Sequence, residues 1–254
     1  MVLAIDVGNT NIVIGVLDGE KISLESRIDT NSARMADQYA MTIMDILEMY
    51  KIELASIDGA IISSVVPPVT QQLRRAVKTL FGLEAVVVGP GVKNGLNILI
   101  DDPSTLGADM VCVAVAAKAK YKLPCIVVDL GTANKVLAID KNGSFLGGVI
   151  APGIGMSFEA LASGTAALPL ISDGPVSNVI GTNTVDCMRS GVLVGTACMV
   201  DGLVTRYEEI IGESEVVVTG GLADTISPYC RHKMTRDEHL IMSGMRIIYE
   251  KNRR

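Results

Sequence analysis

An acidic residue two positions before a glycine follows an apolar run at two places in this sequence. The first is Asp6, which is followed by Gly8, Asn9 and Thr10 near the start of the chain. Glycine lets the backbone approach a ligand closely, backbone amides and a threonine hydroxyl can donate to phosphate oxygens, and a carboxylate can ligate magnesium or water. The spacing predicts a phosphate-holding hairpin, although an ordinary hairpin with a Gly-Asn turn explains the same residues.

The second such residue is Asp129, at the start of the other half of the chain. Residues 125–150 repeat the order of residues 1–29, namely strand, Asp-x-Gly turn, strand, tight turn and strand, so that Asp129 matches Asp6. We interpret this repeat as an internal duplication. Two such halves would place their turns across one cleft, which could hold a triphosphate and a metal ion.

The composition limits the kinds of partner that the protein can have. With 254 residues, 49% of them hydrophobic, the chain can bury one large core or two smaller ones. A net charge of −6 argues against a nucleic-acid surface or a polybasic membrane patch, because both need an excess of Lys and Arg. No signal peptide and no uninterrupted apolar stretch of bilayer length is expected. The composition favours a small-molecule protein with neither nucleic acid nor membrane as partner.

Cysteine and histidine usage narrows the chemistry further. The cysteines are odd in number, widely spaced and set mostly among apolar residues: Cys112, Cys125, Cys187, Cys198 and Cys230. This pattern predicts buried thiols in a reducing cytoplasm. The two histidines, His232 and His239, both lie near the C-terminus, so neither a histidine triad nor a zinc site is expected.

Hydrophobic periodicity predicts the elements that would position the two acidic turns. In the first half, the expected elements after the hairpin are a strand at 21–29, a helix at 36–50, a strand at 59–66, a helix at 69–81 and a strand at 85–88. In the second half, they are helices at 156–163, 184–211 and within 237–252, and a strand from 215 that ends in Gly220-Gly221. Asp109 opens an apolar helix between the halves, where the helix dipole favours an ionised carboxylate.

Seven segments, in order, resemble the type III pantothenate kinases, a family of the actin, heat-shock ATPase and sugar kinase superfamily. They are Asp6-x-Gly8-Asn9-Thr10-Asn11, Pro103-x-x-x-Gly107-Ala108-Asp109, Asp129-x-Gly131-Thr132-Ala133, Gly147-Gly148 to Pro152-Gly153, Gly181-x-Asn183-Thr184, Ser190-Gly191 and Thr219-Gly220-Gly221. The resemblance implies an α/β fold of two duplicated ribonuclease H-like (actin-like ATPase) domains, each a mixed sheet flanked by helices, with a cleft between them. We expect these domains at residues 1–118 and 119–254, the second carrying a dimerisation helix.

The resemblance also implies an activity, namely ATP-dependent phosphorylation of pantothenate to 4'-phosphopantothenate, the first step of coenzyme A biosynthesis. Asp109 is the implied general base. The implied ATP contacts are Asp6, Val7, Gly8, Asn9, Thr10, Asn11, Ile12, Val13 and Thr132. The implied pantothenate contacts are Ile100, Gly107, Ala108, Asp109, Met110 and Thr184, the last reaching in from the partner of a homodimer. Mg²⁺ at Asp6 and a monovalent cation, K⁺ or NH₄⁺, at Asp129 complete the implied site.

The chain departs from the family pattern at four positions, all expected in the site. Ile100 stands where the family has Tyr, Met110 where it has Arg, and Asn134-Lys135 where it has Thr-Thr. The loss of the guanidinium would alter recognition of an anionic substrate. Lys135 adds a cation beside the expected cation ligand, and we hypothesise that its ammonium replaces the bound monovalent ion.

Two functions are compatible with these departures. One is an active pantothenate kinase with a rebuilt substrate pocket. The other is a degenerate relative that binds nucleotide or a pantothenate-like ligand without turnover, or that phosphorylates a different hydroxyl compound. A dinucleotide-binding enzyme is disfavoured, because its glycine turn should open a helix and the first turn here is followed by another β run.

Overall fold

The structure is a computed structural model and describes residues 1–253. Its strands are β1 (Val2–Val7), β2 (Asn11–Asp18), β3 (Lys21–Asp29), β4 (Gly59–Ser64), β5 (Val86–Val87), β6 (Asn97–Ile98), β7 (Cys125–Leu130), β8 (Ala133–Ile139), β9 (Ser144–Pro152), β10 (Glu215–Thr219) and β11 (Thr235–Arg236). Its α-helices are α1 (Ala36–Met49), α2 (Pro67–Phe81), α3 (Ala108–Lys120), α4 (Ile154–Gly164), α5 (Thr184–Ile211), α6 (Ala223–Ile226) and α7 (Leu240–Asn252).

The chain divides into two compact units. The first unit contains Met1–Leu96, Asp101–Ala119 and the chain from His239 onward, and the second contains Asn97–Ile100 and Lys120–Glu238. Each unit has one mixed sheet flanked by helices, which confirms the predicted fold class.

The sheet of the first unit has the strand order β3-β2-β1-β4-β5, in which β1 pairs antiparallel with β2 and parallel with β4. Successive residues of a strand point to opposite faces, and both faces of β1 are buried. Leu3 and Ile5 belong to a core cluster that includes residues of α1 and α2. Ala4 belongs to a second cluster with residues of α3 and α7, among them Met242 and Met245.

The position of α7 corrects the expected domain assignment. We expected all residues after 118 to belong to the second domain, and the structure places the chain from His239 onward in the first unit. The physical reason is a close helix contact, since a side chain on Gly244 would overlap the backbone carbonyl of Cys112 in α3. A single domain boundary assigns every later residue to the second domain. The helix α7, near the end of the chain, nevertheless packs against the first sheet.

The sheet of the second unit repeats the order of the first. Its order is β11-β10-β7-β8-β9-β6, so β9-β8-β7-β10-β11 corresponds to β3-β2-β1-β4-β5, with β6 added at the edge. The strand that carries Asp129 therefore occupies the same place as the strand that carries Asp6. The topology supports the internal duplication inferred from the sequence.

The longest helix, α5, packs one face into the core of the second unit. Leu193, Ala197, Val200 and Val204 are buried there. By length and mean hydropathy α5 could also cross a membrane, and 39% of its most apolar stretch is buried within the protein. A buried face of this kind is typical of a core helix in a globular unit.

The expectation that the thiols are buried is only partly correct. Cys112 and Cys125 are buried and Cys230 is partly exposed, but Cys187 and Cys198 are exposed. Both exposed cysteines lie on α5, away from the face that packs into the core. An apolar neighbourhood in sequence does not report which side of a helix a residue occupies.

Candidate functional site

The first Asp-x-Gly turn is stabilised by Thr30, the residue directly after β3. The Gly8 amide donates to the Asn11 carbonyl at 2.9 Å, which closes the turn between β1 and β2. The Thr30 hydroxyl donates to the Gly8 carbonyl at 2.7 Å, and the Thr30 amide donates to the Thr10 carbonyl at 2.9 Å. Asn9 and Thr10 are exposed at the tip. Thr30, which the motif did not indicate, thus stabilises the turn through two hydrogen bonds. The polar tip of the turn remains exposed to solvent.

The predicted nucleotide contacts around this turn do not all present side chains. Val7 and Ile12 are buried in the core of the first unit, because they alternate with more exposed residues along β1 and β2. Only their main-chain groups remain available to a ligand. The exposed Asn9 and Thr10 and the partly exposed Asp6 can present side chains.

Asp6 is bonded to a residue on the neighbouring parallel strand. Ser63 on β4 lies opposite Asp6 in the register, and its hydroxyl donates to Asp6 Oδ1 at 2.8 Å. Ser63 is fully buried. The sequence indicates Ser63 only as part of a buried strand. The available signal was a pair of serines at the carboxyl end of an apolar strand, next to the strand that carries the acid.

Asp109 lies in the first turn of α3, as predicted. Its Oδ1 accepts from the Met110 amide at 2.8 Å, which bonds the carboxylate to the amino end of its own helix. A Cβ atom on Gly107 would lie only 2.6 Å from that oxygen and 3.4 Å from Met110 Cε. Gly107 is therefore needed for space rather than for backbone conformation, because it leaves room for the carboxylate and for the Met110 side chain.

Two acids of the predicted site, Asp6 and Asp109, affect the pKa of a buried thiol. Burial raises the pKa of the Cys112 thiol well above its ordinary value, and the negative charges of Asp6 and Asp109 raise it further. Cys112 lies on α3, the helix whose first turn carries Asp109, and it is fully buried.

The second Asp-x-Gly turn contains an ion pair. Asp129 on β7 and Lys135 on β8 are cross-strand partners, and Lys135 Nζ lies 2.7 Å from Asp129 Oδ2. Each side chain is only 16% exposed, so the pair is largely shielded from water. The positive charge next to Asp129 is thus supplied by the chain itself.

Two glycines pack closely against the turn that carries this ion pair. Gly220 has a φ of +93°, and a Cβ there would overlap the Leu130 carbonyl and lie 2.7 Å from Asp129 Oδ1. A side chain on Gly153 would overlap the carbonyls of Gly131 and Thr132. The Gly153 amide also donates to the Thr132 carbonyl at 3.1 Å. The predicted glycine turns therefore pack directly against the second acidic turn.

One of the four departures from the family pattern, Asn134, is a buried residue. Asn134 is 1% exposed, and its amide nitrogen donates to the Pro152 carbonyl at 3.0 Å. Because consecutive residues of β8 point to opposite faces, Asn134 lies on the side away from Lys135. The sequence predicts both residues in the site, and for Asn134 this stays a prediction, since its side chain is buried on the other face of the sheet.

The remaining predicted substrate residues fall into different parts of the chain. Gly107, Ala108 and Met110 belong to the first unit, and Ile100 and Thr184 to the second. Ile100 is partly exposed, and its Cγ2 would lie 3.6 Å from a Cβ on Gly147.

Thr184 is exposed at the start of α5. The Asn183 side chain caps this helix by accepting from the Asp186 amide at 3.0 Å. Thr184 borders a pocket of about 540 Å³ that is also lined by Leu161, Leu168 and Met188. Within the second unit, Thr184 thus lies at the polar amino end of α5 and borders an apolar pocket.

Among residues 1–253, no three His, Cys, Asp or Glu side chains lie close enough together to form a protein-only metal site. Magnesium in nucleotide sites usually keeps several waters and binds one or two carboxylates together with phosphate oxygens. The single carboxylate of Asp6, beside a turn with exposed donors, fits that kind of site.

Solved structures of the same fold cover nearly the whole chain. A protein from Campylobacter jejuni described as a Baf family transcriptional activator has a TM-score of 0.63 at 19% identity, over 98% of both chains. Component A of the (R)-2-hydroxyglutaryl-CoA dehydratase from Acidaminococcus fermentans has a TM-score of 0.58 at 15% identity, over 99% of this chain and 97% of that one. The ROK hexokinase from Thermus thermophilus has a TM-score of 0.51 at 12% identity, over 97% of each chain. The fold is that of the actin-like ATPases and sugar kinases.

Proteins related in sequence indicate a narrower family than the solved structures do. A type III pantothenate kinase from an Exiguobacterium species is 42% identical over 254 residues, all of both chains. Another from Geobacter sulfurreducens is 41% identical over 254 residues, again all of both chains. The family model described as type III pantothenate kinase matches residues 2–206. The chain belongs to the type III pantothenate kinase family.

Proposed function

We propose that the protein phosphorylates pantothenate with ATP to give 4'-phosphopantothenate, the first step of coenzyme A biosynthesis. The observation that carries the proposal is the full-length identity of 42% to a type III pantothenate kinase. The acids that the reaction needs are present, with Asp109 at the amino end of α3 and Asp6 at the end of β1.

Asp109 is the general base in this proposal. The primary hydroxyl of pantothenate attacks the γ-phosphorus, its proton passes to the Asp109 carboxylate, and the bond from the γ-phosphorus to the bridging oxygen breaks to release ADP. Phosphoryl transfer depends mainly on positioning and charge stabilisation. Gly107 supports this role because it leaves the carboxylate its space, and the Met110 amide holds the carboxylate in place.

ATP is held by the main chain and polar tip of the first turn, residues 6–13, and by Thr132 in the second turn. Turn amides are suited to phosphate oxygens because they are fixed donors that need no reorganisation on binding. Asp6 would hold magnesium together with the phosphates, and the metal would neutralise charge that develops on them. Thr30 contributes indirectly to ATP binding, because its hydroxyl and amide donate to the Gly8 and Thr10 carbonyls and so stabilise the turn.

Pantothenate contacts Gly107, Ala108, Met110 and Ile100 in this proposal. An arginine in place of Met110 would offer charge-assisted hydrogen bonds of roughly 1.5–3 kcal/mol each to the substrate carboxylate. Met110 contributes none of these and presents an apolar side chain against Gly107. This favours a second candidate, in which the same site phosphorylates a different hydroxyl compound or binds its ligand without turnover.

One assay distinguishes these functions. Purified protein is supplied with Mg·ATP and either pantothenate or a panel of related hydroxyl compounds, and ADP release is followed with a coupled enzyme. Release with pantothenate supports the first function, and release with another compound alone supports the second. If no compound is phosphorylated while ATP still binds, only ligand binding without turnover remains.

Lys135 replaces the monovalent cation expected at Asp129. Its ammonium pairs with Asp129 Oδ2 at 2.7 Å in a largely shielded position, where it supplies the single positive charge that K⁺ or NH₄⁺ would supply. Phosphoryl transfer by the unaltered protein should therefore not depend on added potassium or ammonium.

Lys135→Thr should create that dependence. Without potassium, the variant should lose at least about tenfold in rate, because the Asp129 carboxylate loses its ion-pair partner. Added potassium should restore most of the loss. Lys141→Thr, at an exposed lysine of the same unit, should behave as the unaltered protein does. A requirement for potassium in the unaltered protein would contradict the role given to Lys135.

The working form is a homodimer that pairs through α5. One side of this helix exposes small residues at spacings of four and three: Gly191, Gly195, Cys198, Gly202 and Thr205. Side chains built on the three glycines would meet no other atom of the chain within 4 Å, so packing within the chain does not explain them. The same small-residue face on a second copy could approach closely around a two-fold axis, as in an isologous dimer. In this assembly Thr184 contacts the pantothenate bound to the partner.

Sedimentation tests the dimer. The protein should sediment at about twice its chain mass of 26.8 kDa. Gly195→Arg should shift it to the monomer, whereas Glu213→Arg, exposed beyond the end of α5, should not. A monomeric unaltered protein would rule out the shared site at Thr184.

The protein works in the cytoplasm in this proposal. All five cysteines are free, which suits a reducing compartment. ATP, the phosphoryl donor, is also supplied there.

A further inference from the structure

A buried serine is hydrogen-bonded to the carboxylate of Asp6. Ser63 on β4 donates to Asp6 Oδ1 at 2.8 Å. Ser63 is 0% exposed, so water does not reach it. The bond joins two neighbouring strands of the first sheet, β1 and β4.

The direction of this hydrogen bond follows from the protons that each group has. An ionised carboxylate can only accept, and a serine hydroxyl has one proton to donate. Ser63 therefore gives its proton to Asp6, and Asp6 receives an oriented donor.

We infer that Ser63 is a positioning residue that fixes the Asp6 carboxylate for binding Mg·nucleotide. The inference rests on the proposed function, because it assumes that Asp6 holds the metal with the phosphates. Ser63 is too deeply buried to touch the ligand, so it acts only through the carboxylate that it orients. The parallel pairing of β1 with β4 places Ser63 opposite Asp6, which gives the bond its geometry without help from a flexible loop.

Ser63→Ala tests the inference through the magnesium dependence of nucleotide binding. ADP binding is measured by calorimetry over a series of magnesium concentrations. The variant should need roughly tenfold more magnesium for half-maximal binding, because a hydrogen bond to a charged group is lost. Ser64→Ala is the matched control, since its hydroxyl bonds Thr70 and the Val66 amide rather than Asp6. The control should need no more magnesium than the unaltered protein does.

A double-mutant cycle separates positioning from general destabilisation. In an Asp6→Asn background, Ser63→Ala should have no further effect on the magnesium requirement, because the carboxylate through which it acts is gone. Equal effects of Ser63→Ala in both backgrounds would overturn the inference, as would an unchanged requirement in the single variant. If Ser63→Ala does not fold, Ser63→Cys retains most of the volume with a weak donor, and its magnesium requirement should still rise.

The outcome is independent of the acceptor substrate. A protein that binds Mg·ADP and does not phosphorylate pantothenate would contradict the proposed function and leave the role of Ser63 open to the same measurement. A protein that phosphorylates pantothenate, with a Ser63→Ala variant of unchanged magnesium dependence, would contradict the role of Ser63 alone.

Discussion

Asp109→Asn is expected to lower kcat for pantothenate phosphorylation by about 10²- to 10⁴-fold, the range for removal of a general base. The amide has nearly the shape of the carboxylate and cannot take the proton from the attacking hydroxyl. Its oxygen can still accept from the Met110 amide, so the start of α3 should remain intact. ADP binding should change little, because the residues proposed to hold the nucleotide are not altered.

Asp102→Asn is the matched control for this variant. Asp102 is an exposed acid seven residues before Asp109, and its side chain accepts from the Ser104 amide at 2.9 Å at the start of a short 3₁₀ helix. Asparagine can make the same bond, so the control should keep the rate of the unaltered protein. A kcat for Asp109→Asn within a few-fold of that rate would show that another group accepts the proton.

Gly220→Ala is expected to destabilise the second unit. The positive φ of +93° is unfavourable for alanine, and its Cβ would overlap the Leu130 carbonyl and press on Asp129 Oδ1. The backbone conformation costs about 1–2 kcal/mol, and overpacking against rigid backbone costs about 1–3 kcal/mol more. The free energy of unfolding should therefore fall by about 2–5 kcal/mol.

Gly19→Ala separates the cost of the backbone conformation from the cost of overpacking. Gly19 also has a positive φ, +58°, but nothing lies within 4 Å of a Cβ placed there. Its substitution should cost only the conformational part, about 1–2 kcal/mol. Urea unfolding followed by circular dichroism measures both variants. If Gly220→Ala were no more destabilising than Gly19→Ala, the close packing against Asp129 would not be essential.

The order and type of the main elements were predictable from the sequence because their signals are local. Alternation along residues 21–29 and the helical period after residue 36 depend on neighbours a few positions away, and the structure has β3 and α1 there. The position of Asp109 in a first helical turn follows from the same kind of pattern. The repeated Asp-x-Gly turns also indicated the duplication that the two sheet orders show.

Contacts between residues that are distant in sequence are determined only by the tertiary structure. The bond from Ser63 to Asp6 depends on parallel pairing between strands separated by α1, and the helix contact at Gly244 depends on α7 returning to the first sheet. The pairing of Lys135 with Asp129 was foreseen as a nearby charge, but its direct contact depends on the register of β7 and β8. Asn134, the neighbour of Lys135, shows how a single step along a strand moves a side chain to the opposite face.

The sequence by itself determined which chemical groups this protein has and the local elements that carry them. The tertiary structure decided which of those groups meet, because register and helix packing are set by the burial of apolar surface across the whole unit. For the acid at the end of β1, the motif identified the carboxylate, and only the folded sheet showed the buried serine that holds it.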